Sequence, residues 1–205
     1  MIVTLDGPAA SGKGTLARML AEHLNVPHLD TGLLYRCVGE AVLRRGRPLD
    51  DVAAALEAAR AVNLAGLDRE RLSVAGLGEA ASRVAAMPEV RAALLKLQQD
   101  FARRPGGAVL DGRDTGTVIA PEADFKFFVV ASPEVRAGRR HRELAAKGEG
   151  ITYEQVLADI RKRDERDAGR AAAPLKPAPD AVLLDTTDLD IEAAFREVLK
   201  IVRRA

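Results

Sequence analysis

The stretch "LDGPAASGKGTLA", residues 5–17, constrains the fold of this chain more than any other. An apolar run precedes it and helically spaced leucines follow it, which predicts a glycine-rich turn between a buried strand and a helix. Gly7, Gly12 and Lys13 have the spacing of a phosphate-binding loop, G-x-x-x-x-G-K-[ST]. Backbone N–H groups and the helix N-terminus of such a loop hold phosphates, so we expect phosphate binding rather than a chance turn. The expected phosphate-binding residues are Gly7, Pro8, Ala9, Ala10, Ser11, Gly12, Lys13, Gly14 and Thr15.

The loop departs from the general pattern at Gly14, where a hydroxyl residue that binds Mg²⁺ usually follows the lysine. Either Thr15 supplies the hydroxyl, or phosphate oxygens and water hold the metal, as Mg²⁺ tolerates. The form "GKGT" is similar to the loop of nucleoside monophosphate kinases. Regulatory GTPases also carry D-x-x-G and N-K-x-D motifs, and neither occurs in this sequence. The loop therefore indicates a kinase rather than a GTPase switch.

Apolar runs bounded by turn residues predict five buried parallel strands. These predicted strands are 2–6, 28–30, 108–111, 125–130 and 181–185. Helical patterns alternate with them: residues 15–24, a helix opened by Pro88, one capped by Ser132 ahead of Pro133, one with the capping-box pair Thr152 and Gln155, and a last helix from Ile191 to Val202. The alternation predicts a single α/β domain over residues 1–205, with a parallel sheet covered on both faces. Residues 63–81 are glycine-punctuated and weakly periodic, so we interpret them as an insertion.

Composition excludes several classes of protein. The 31 basic and 30 acidic residues give a formal charge of +1, which argues against a nucleic-acid-binding or membrane-surface protein. No apolar run approaches the roughly 18 residues of a membrane span, and no secretory signal is visible, so we expect a cytoplasmic protein. The single cysteine, Cys37, forms no internal disulfide, and no Cys/His cluster has metal-ligand spacing.

Two stretches bring polar side chains to the carboxyl edge of the predicted sheet, where α/β folds bind ligands. Asp111 ends a strand, in the position of a Walker B carboxylate near a metal. Arg113 and Asp114 follow it, and charges beside a buried carboxylate are costly unless paired or used, which favours a site over a salt-bridged turn. The other stretch, "LDTGLLYR", would by itself indicate only a helix start with a surface arginine; beside the loop it adds three candidates: Thr31, Tyr35 and Arg36.

The stretch "IRKRDERDAGRAAAPL", residues 160–175, places Arg163, Asp167 and Arg170 at positions i, i+4 and i+7. This spacing puts them on one helix face and predicts that Asp167 pairs with both arginines. A solvated charged face is the alternative. Exposed pairs contribute little stability, and the run ends at a glycine before Arg170, so placed side chains are the interpretation that we favour.

A second group of arginines follows the fourth predicted strand: Arg136, Arg139 and Arg140. Phosphoryl transfer spreads negative charge over the equatorial oxygens, so converging arginines suit it. An acceptor that is itself a phosphate is already anionic and requires no strong general base. This agrees with the histidines, none of which lies in a triad-like setting and which we interpret as structural or surface residues: His23, His28 and His141.

With these residues assembled, the chain resembles the bacterial cytidylate kinases, nucleoside monophosphate kinases that convert CMP and ATP to CDP and ADP. The resemblance extends from end to end and rests on "GPAASGKGTLA", "LDTGLLYR", "AASRVAAMPEVRAALL", "LDGRDTGTV" and "KRDERDAGRAAAPL", in the family's order. It implies the P-loop nucleoside monophosphate kinase fold, with an inserted NMP-binding region near 31–104 and a short lid near 136–170. It also implies a monomer that uses ATP with Mg²⁺ and accepts CMP and dCMP.

The resemblance also implies roles for individual residues. The ATP-binding loop is 7–15, with Lys13 at the transferring phosphate and Mg²⁺ held by ATP phosphates and water, with Thr15 and Asp111 as further candidates. The catalytic candidates are Lys13, Asp111, Arg113, Arg139, Arg140 and Arg170, of which Arg139 and Arg140 match lid arginines. The CMP-binding candidates are Thr31, Tyr35, Arg36, Ser82, Arg91, Arg113, Asp114, Arg163, Asp167 and Arg170. Among these, Ser82, Arg91 and Asp114 would read cytosine, whose exocyclic amine donates to a carboxylate.

The chain departs from this family in one respect, because members usually carry a longer insertion with extra strands where this chain has only 63–81. The alternatives are another small P-loop kinase, acting on UMP, AMP or a non-nucleotide such as shikimate, and a binding module in which ATP drives a change of shape. Asp114 and the arginines beyond the loop favour a kinase for a nucleotide with an exocyclic amine.

Overall fold

The computed structural model describes residues 1–203, which contain one parallel sheet of five strands. Its order is β2-β3-β1-β4-β5, so the first strand is central and the chain crosses over between non-consecutive neighbours. The strands are β1 (Ile2–Asp6), β2 (His28–Asp30), β3 (Ala108–Gly112), β4 (Phe125–Val130) and β5 (Val182–Asp185). The predicted five-stranded α/β fold is confirmed, and the strand bounds agree to within one residue.

Helices cover both faces of the sheet. They are α1 (Lys13–Leu24), α2 (Thr31–Arg44), α3 (Val52–Arg60), α4 (Arg69–Leu72), α5 (Leu77–Val84), α6 (Pro88–Ala102), α7 (Pro133–Ala146), α8 (Tyr153–Gly169) and α9 (Ile191–Val202). A 3-10 turn, Leu64–Gly66, and a π-helical turn, Thr115–Ile119, complete the described elements. Among these helices none is long and apolar enough to cross a membrane.

The core lies in two layers because the central strands are apolar on both sides. On one face, Val3 and Leu5 of β1 pack with α1 and α9. On the other face, Leu110 of β3 packs with α2, α3, α5 and α6. The caps predicted at Ser132 and Thr152 are formed, the second as a full capping box, so local sequence signals set where α7 and α8 begin.

The segment 63–81 is helical rather than irregular. It contains the 3-10 turn, α4 and the first half of α5, whose inner face is buried against α2. Gly39 of α2 makes this contact close, because a Cβ there would lie 2.8 Å from the Cβ of Ala80. The segment is therefore packed into the domain. The helix predicted over 15–24 is α1, which begins two residues earlier, at Lys13.

We predict that a glycine-to-alanine substitution has opposite effects on the free energy of unfolding at two helical positions. Gly39→Ala should lower the free energy of unfolding by about 1–3 kcal/mol, because the added methyl group overpacks the α2–α5 contact. Gly138→Ala, in α7 with open space around its Cβ position, should raise it by about 0.5–1 kcal/mol through helix propensity. Urea unfolding of both variants measures this. A Gly39→Ala protein as stable as the parent would contradict the close packing.

Candidate active site

The phosphate loop connects β1 to α1 in a conformation that two glycines make possible. Gly12 has φ 91° and caps the N-terminus of α1, in the left-handed region that side chains disfavour. A Cβ on Gly7 would lie 2.0 Å from the carbonyl oxygen of Val129 on β4. These contacts hold the loop against the sheet, with the free N–H groups of α1 directed at its centre.

Two cavities flank this loop. One, of about 610 Å³, opens toward α2, α5, α6 and α8; the other, of about 540 Å³, opens toward α7 and the start of α9. Both are lined by Gly12, Thr15 and Arg140, so the loop forms a wall that the two cavities share. A site of this form can hold two ligands whose reacting ends meet at the loop.

Lys13 lies inside the larger cavity with little access to solvent. Its side chain is 7% exposed, and its Nζ donates a hydrogen bond to the carbonyl of Pro8 at 3.0 Å. Burial and then the nearby Arg113 guanidinium lower the pKa of Lys13 to about 7, although Asp111 acts in the opposite direction. An incoming anion would restore the charged form of this amine.

Asp111 ends β3 beside the loop, as the sequence predicts. Its Oδ1 lies 2.7 Å from Nε2 of His28, and its Oδ2 lies 3.4 Å from where a Cβ on Gly14 would stand. Burial alone would raise the pKa of Asp111, but the hydrogen bond and charge of His28, together with Lys13, hold it below its usual value. A carboxylate kept ionised at the loop fits a hard cation such as Mg²⁺, and the absent side chain at position 14 leaves room for it.

The predicted hydroxyl groups have different environments. Oγ1 of Thr15 is at the loop and accepts a hydrogen bond from Arg18 at 3.2 Å. The hydroxyl of Thr31 is buried and donates to the carbonyl oxygen of Asp111 at 2.9 Å. Thr31 therefore joins the start of α2 to the end of β3, and it lines the larger cavity without offering its hydroxyl hydrogen to a ligand.

Asp167 is buried on α8, and its partners differ from the predicted ones. Its Oδ1 accepts from the hydroxyl of Ser82 at 2.9 Å and its Oδ2 from Nε of Arg113 at 2.9 Å. The prediction that Asp167 pairs with Arg163 and Arg170 is wrong. Its side chain crosses to α5 and to the edge of β3, and α8 ends at Gly169, so Arg170 leaves the helix face. Burial would raise the pKa of Asp167, but Arg113 and Arg163 outweigh it and lower the pKa.

A carboxylate–arginine pair closes the far end of the larger cavity. Asp114, 4% exposed, forms an ion pair with Arg91, and its Oδ1 lies 3.6 Å from Nη2 of Arg170. The guanidinium of Arg91 lies 5.4 Å from the centroid of the Tyr35 ring. Four candidates from four separate elements thus meet at one place, with both donors and acceptors for a polar planar ring.

The larger cavity carries a surplus of positive charge. Ten basic side chains line it, against six acidic ones, an excess of four. The basic ones are Lys13, Arg18, Arg36, Arg69, Arg91, Arg113, Arg140, Lys147, Arg163 and Arg170, and the acidic ones are Asp30, Glu70, Asp111, Asp114, Glu143 and Asp167. Burial and then Arg113 lower the pKa of Arg163 to about 10, and within residues 1–203 its buried Nε has no hydrogen-bond partner. Such a cavity requires an anionic ligand.

The arginines of α7 have three different positions. Arg136 is buried, makes a two-pronged ion pair with Asp164 and also binds the carbonyl of Ala9, so it fixes the loop and α8 to α7. Arg139 lies in the smaller cavity, where it donates to Thr186 Oγ1 at 3.0 Å and to the Thr186 carbonyl at 2.6 Å. Arg140 alone reaches both cavities. The three predicted arginines therefore do not converge on one point.

Comparison with known proteins decides the family. The model of the family described as "Cytidylate kinase" matches residues 3–204. A cytidylate kinase from Xanthobacter autotrophicus is 66% identical over 207 residues, covering 100% of this chain and 99% of the relative; one from Methylocella silvestris is 62% identical over 205 residues, covering 100% and 95%. The chain belongs to the cytidylate kinase family. The resemblance inferred from its motifs is confirmed.

A solved structure agrees with the fold. A gluconokinase from Sinorhizobium meliloti superposes with a TM-score of 0.53 at 18% identity, covering 99% of this chain and 91% of that one. The Xanthobacter and Methylocella relatives align over 99% and 95% of their own lengths, so neither carries a long insertion that this chain lacks.

Sequence patterns missed several residues of this cytidylate kinase site. His28 orients Asp111, and Arg69 donates to Asp30 at 2.9 Å beside the loop. Asp6 accepts hydrogen bonds from the backbone N–H groups of Thr115 and Gly116, at 2.9 and 2.8 Å, and so holds the turn that follows Asp114. Only Asp6 had a visible signal, as an acidic residue at the end of the central strand.

We predict that Asp6 makes stability depend on pH. Burial is the main cause that raises its pKa to about 6 in the folded state, from 3.8. The folded protein then holds this proton more tightly than the unfolded chain does, so the stabilisation is full below pH 3.8 and is lost as the pH rises through 6. The free energy of unfolding of the parent minus that of Asp6→Asn should fall by about 3 kcal/mol between pH 4 and 7.

Denaturant unfolding at several pH values measures this difference, because the other titrating groups are common to both proteins. Asp50→Asn, at an exposed aspartate, is the control and should give a nearly constant difference. A constant difference for Asp6→Asn would mean that the hydrogen bonds from the Thr115 N–H, the Thr115 hydroxyl and the Gly116 N–H offset the effect of burial on the pKa of Asp6.

Proposed function

We propose that this member of the cytidylate kinase family transfers the γ-phosphoryl group of ATP to CMP, giving CDP and ADP, with the two nucleotides bound on opposite sides of the phosphate loop. The observation that carries the proposal is the larger cavity, in which an excess of positive charge lies beside the loop and an Asp114–Arg91 pair lies at the far end. A phosphate at one end and a polar base at the other match this distribution.

The donor would bind through the loop, with its nucleoside in the smaller cavity beside Arg139 and Thr186. The N–H groups at the start of α1 would hold the phosphates of the donor, and Lys13 would stay in contact with the phosphoryl group during transfer. Asp111 and Thr15 would hold Mg²⁺ together with phosphate oxygens and water. Bound there, Mg²⁺ neutralises charge on the phosphates and polarises the group that is transferred.

The acceptor phosphate would lie among Arg36, Arg113 and Arg163, whose guanidinium groups line the cavity near the loop. Guanidinium groups bind phosphate oxygens in pairs, and in a partly buried site they are strong ligands. Arg113 is already held at its Nε by Asp167, so its outer nitrogens have a defined direction. Asp167 would contact the sugar, and Ser82, whose hydroxyl donates to Asp167, would lie at the base.

The transfer would be direct, without a covalent enzyme intermediate. The acceptor oxygen is anionic before it reacts, so no general base is needed, and positioning with charge stabilisation carries the chemistry. Arg140 and Lys13 would balance the charge that spreads over the transferred group. Arg170, expected from the sequence to be catalytic, lies 3.6 Å from Asp114 and would act at the base end of the cavity instead. The connection between α7 and α8 would exclude water, which otherwise accepts the phosphoryl group.

Base choice would rest on Asp114. Its carboxylate would accept a hydrogen bond from the N4 amine of cytosine, whereas uracil presents a carbonyl oxygen that repels it. Arg91 would donate to the ring acceptors. Because CMP and dCMP share the phosphate and the base that the charged side chains would bind, we also expect dCMP as a substrate, and we expect a cytoplasmic monomer.

A panel of acceptors tests this function. ADP formation from ATP and Mg²⁺ should be fast with CMP and dCMP, and slow with UMP, AMP and shikimate. Equal rates with CMP and UMP would leave the kinase in place and remove the account of base choice. ATP binding without turnover on any acceptor would support the binding-module alternative.

Asp114→Asn should reduce the ratio of kcat/KM for CMP to that for UMP by about 10- to 100-fold, because an ionised acceptor is replaced by a neutral amide that also offers a donor to uracil. Asp50→Asn is the matched control and should keep the parent ratio. An unchanged ratio in Asp114→Asn would refute its role in base recognition.

A further inference from the structure

The short connection between α4 and α5 is contacted from both sides of the larger cavity. We call residues 72–75 the bridge segment and residues 147–149, after α7, the lid loop. The bridge segment begins at Leu72, which is fully buried in a small cluster with Leu33 and Leu77. One end of the bridge segment is therefore fixed to the domain, while its following peptide groups are open to partners.

The lid loop binds the bridge segment through two residues. Both carboxylate oxygens of Glu149 accept from the backbone N–H of Ala75, at 3.0 and 3.1 Å. Nζ of Lys147 donates to the carbonyl of Ser73 at 3.1 Å. An acid therefore meets a backbone donor and a base meets a backbone acceptor, so this contact is complementary in charge.

Two arginines of the cavity bind the same segment. Nη1 of Arg36, from α2, donates to the carbonyl of Leu72 at 3.0 Å and to the hydroxyl of Ser73 at 3.3 Å. Nη2 of Arg140, from α7, donates to the carbonyl of Ser73 at 3.4 Å. One guanidinium group from the acceptor side and one from the lid side are thus anchored on adjacent peptide groups.

We propose that the bridge segment is a positioning element for the phosphoryl transfer: it holds Arg36 and Arg140 toward each other across the cavity and links the lid loop to the acceptor side through Glu149. The proposal rests on the proposed function. Direct contact between the lid loop and the bridge segment is possible because 63–81 is short and helical.

The link has a mechanical consequence. Binding of the acceptor phosphate to Arg36 fixes the guanidinium group that donates to the Leu72 carbonyl and the Ser73 hydroxyl, and this orders the bridge segment as far as Ala75. An ordered Ala75 N–H is a better partner for Glu149, so the lid loop closes more fully when the acceptor is present. Closure then coincides with a complete site, so water is excluded from the γ-phosphoryl group at the stage when CMP is bound and transfer takes place.

Glu149→Ala tests the proposal. The variant should lower kcat about 3- to 10-fold, the value of one exposed hydrogen bond, with a smaller rise in the KM for CMP because closure and acceptor binding are linked. It should also raise the fraction of ATP hydrolysed without CDP formation. Glu149→Gln keeps one oxygen acceptor for the Ala75 N–H and should restore most of both values. Glu165→Ala, which removes an exposed acid from α8, is the control and should match the parent.

Hydrogen exchange supplies a readout beyond activity. In the parent, CMP should slow amide exchange in both 72–75 and 147–149; in Glu149→Ala it should still slow 72–75 and no longer slow 147–149. A parent enzyme that makes no CDP would overturn the proposed function. A parent that makes CDP, with a Glu149→Ala variant equal to it in kcat, in ATP hydrolysis and in exchange, would overturn this inference alone.

Discussion

The rest of this structure depends on one constraint: the larger cavity must hold more basic than acidic side chains in fixed positions. A buried guanidinium or ammonium group is costly in the absence of a counter-ion, and the basic side chains that line the larger cavity, some buried and some exposed, outnumber the acidic ones by four. Asp167 pairs with Arg113, and Asp114 pairs with Arg91 and lies 3.6 Å from Arg170, but these two carboxylates do not balance the remaining basic groups. The lowered pKa of Lys13 shows the same strain in the ammonium group. Burial of apolar side chains in the two hydrophobic layers offsets this unfavourable free energy.

The local part of this arrangement could be predicted from the sequence. Strand bounds, the phosphate loop and the caps of α7 and α8 depend on residues close together in the chain, where spacing determines geometry. The five-stranded sheet followed from the alternation of strands and helices. The position of Asp111 at the loop followed from the rule that parallel strands end at one edge.

Contacts between distant residues could not be predicted in the same way. Helical spacing placed Asp167 near Arg163, but its hydrogen bonds go to Ser82 and to Arg113, 85 and 54 positions away. A periodic pattern shows which face of a helix a residue lies on, but it does not show which other element packs against that face. His28 illustrates the same limit, since its role comes from Asp111, 83 positions later, and a lone histidine at the start of a strand carries no signal of it.

The segment 63–81 is held in place by packing against α2. Weak periodicity predicted an insertion and did not indicate its helices, and close contact at Gly39 allows α5 to lie directly on α2. That contact brings Ser82 within 2.9 Å of Asp167 and directs the preceding peptide groups toward α7. A longer excursion could cover the base with its own strands. Here the same region places its backbone between Arg36 and Arg140. The close packing of the segment therefore also sets the positions of these two arginines.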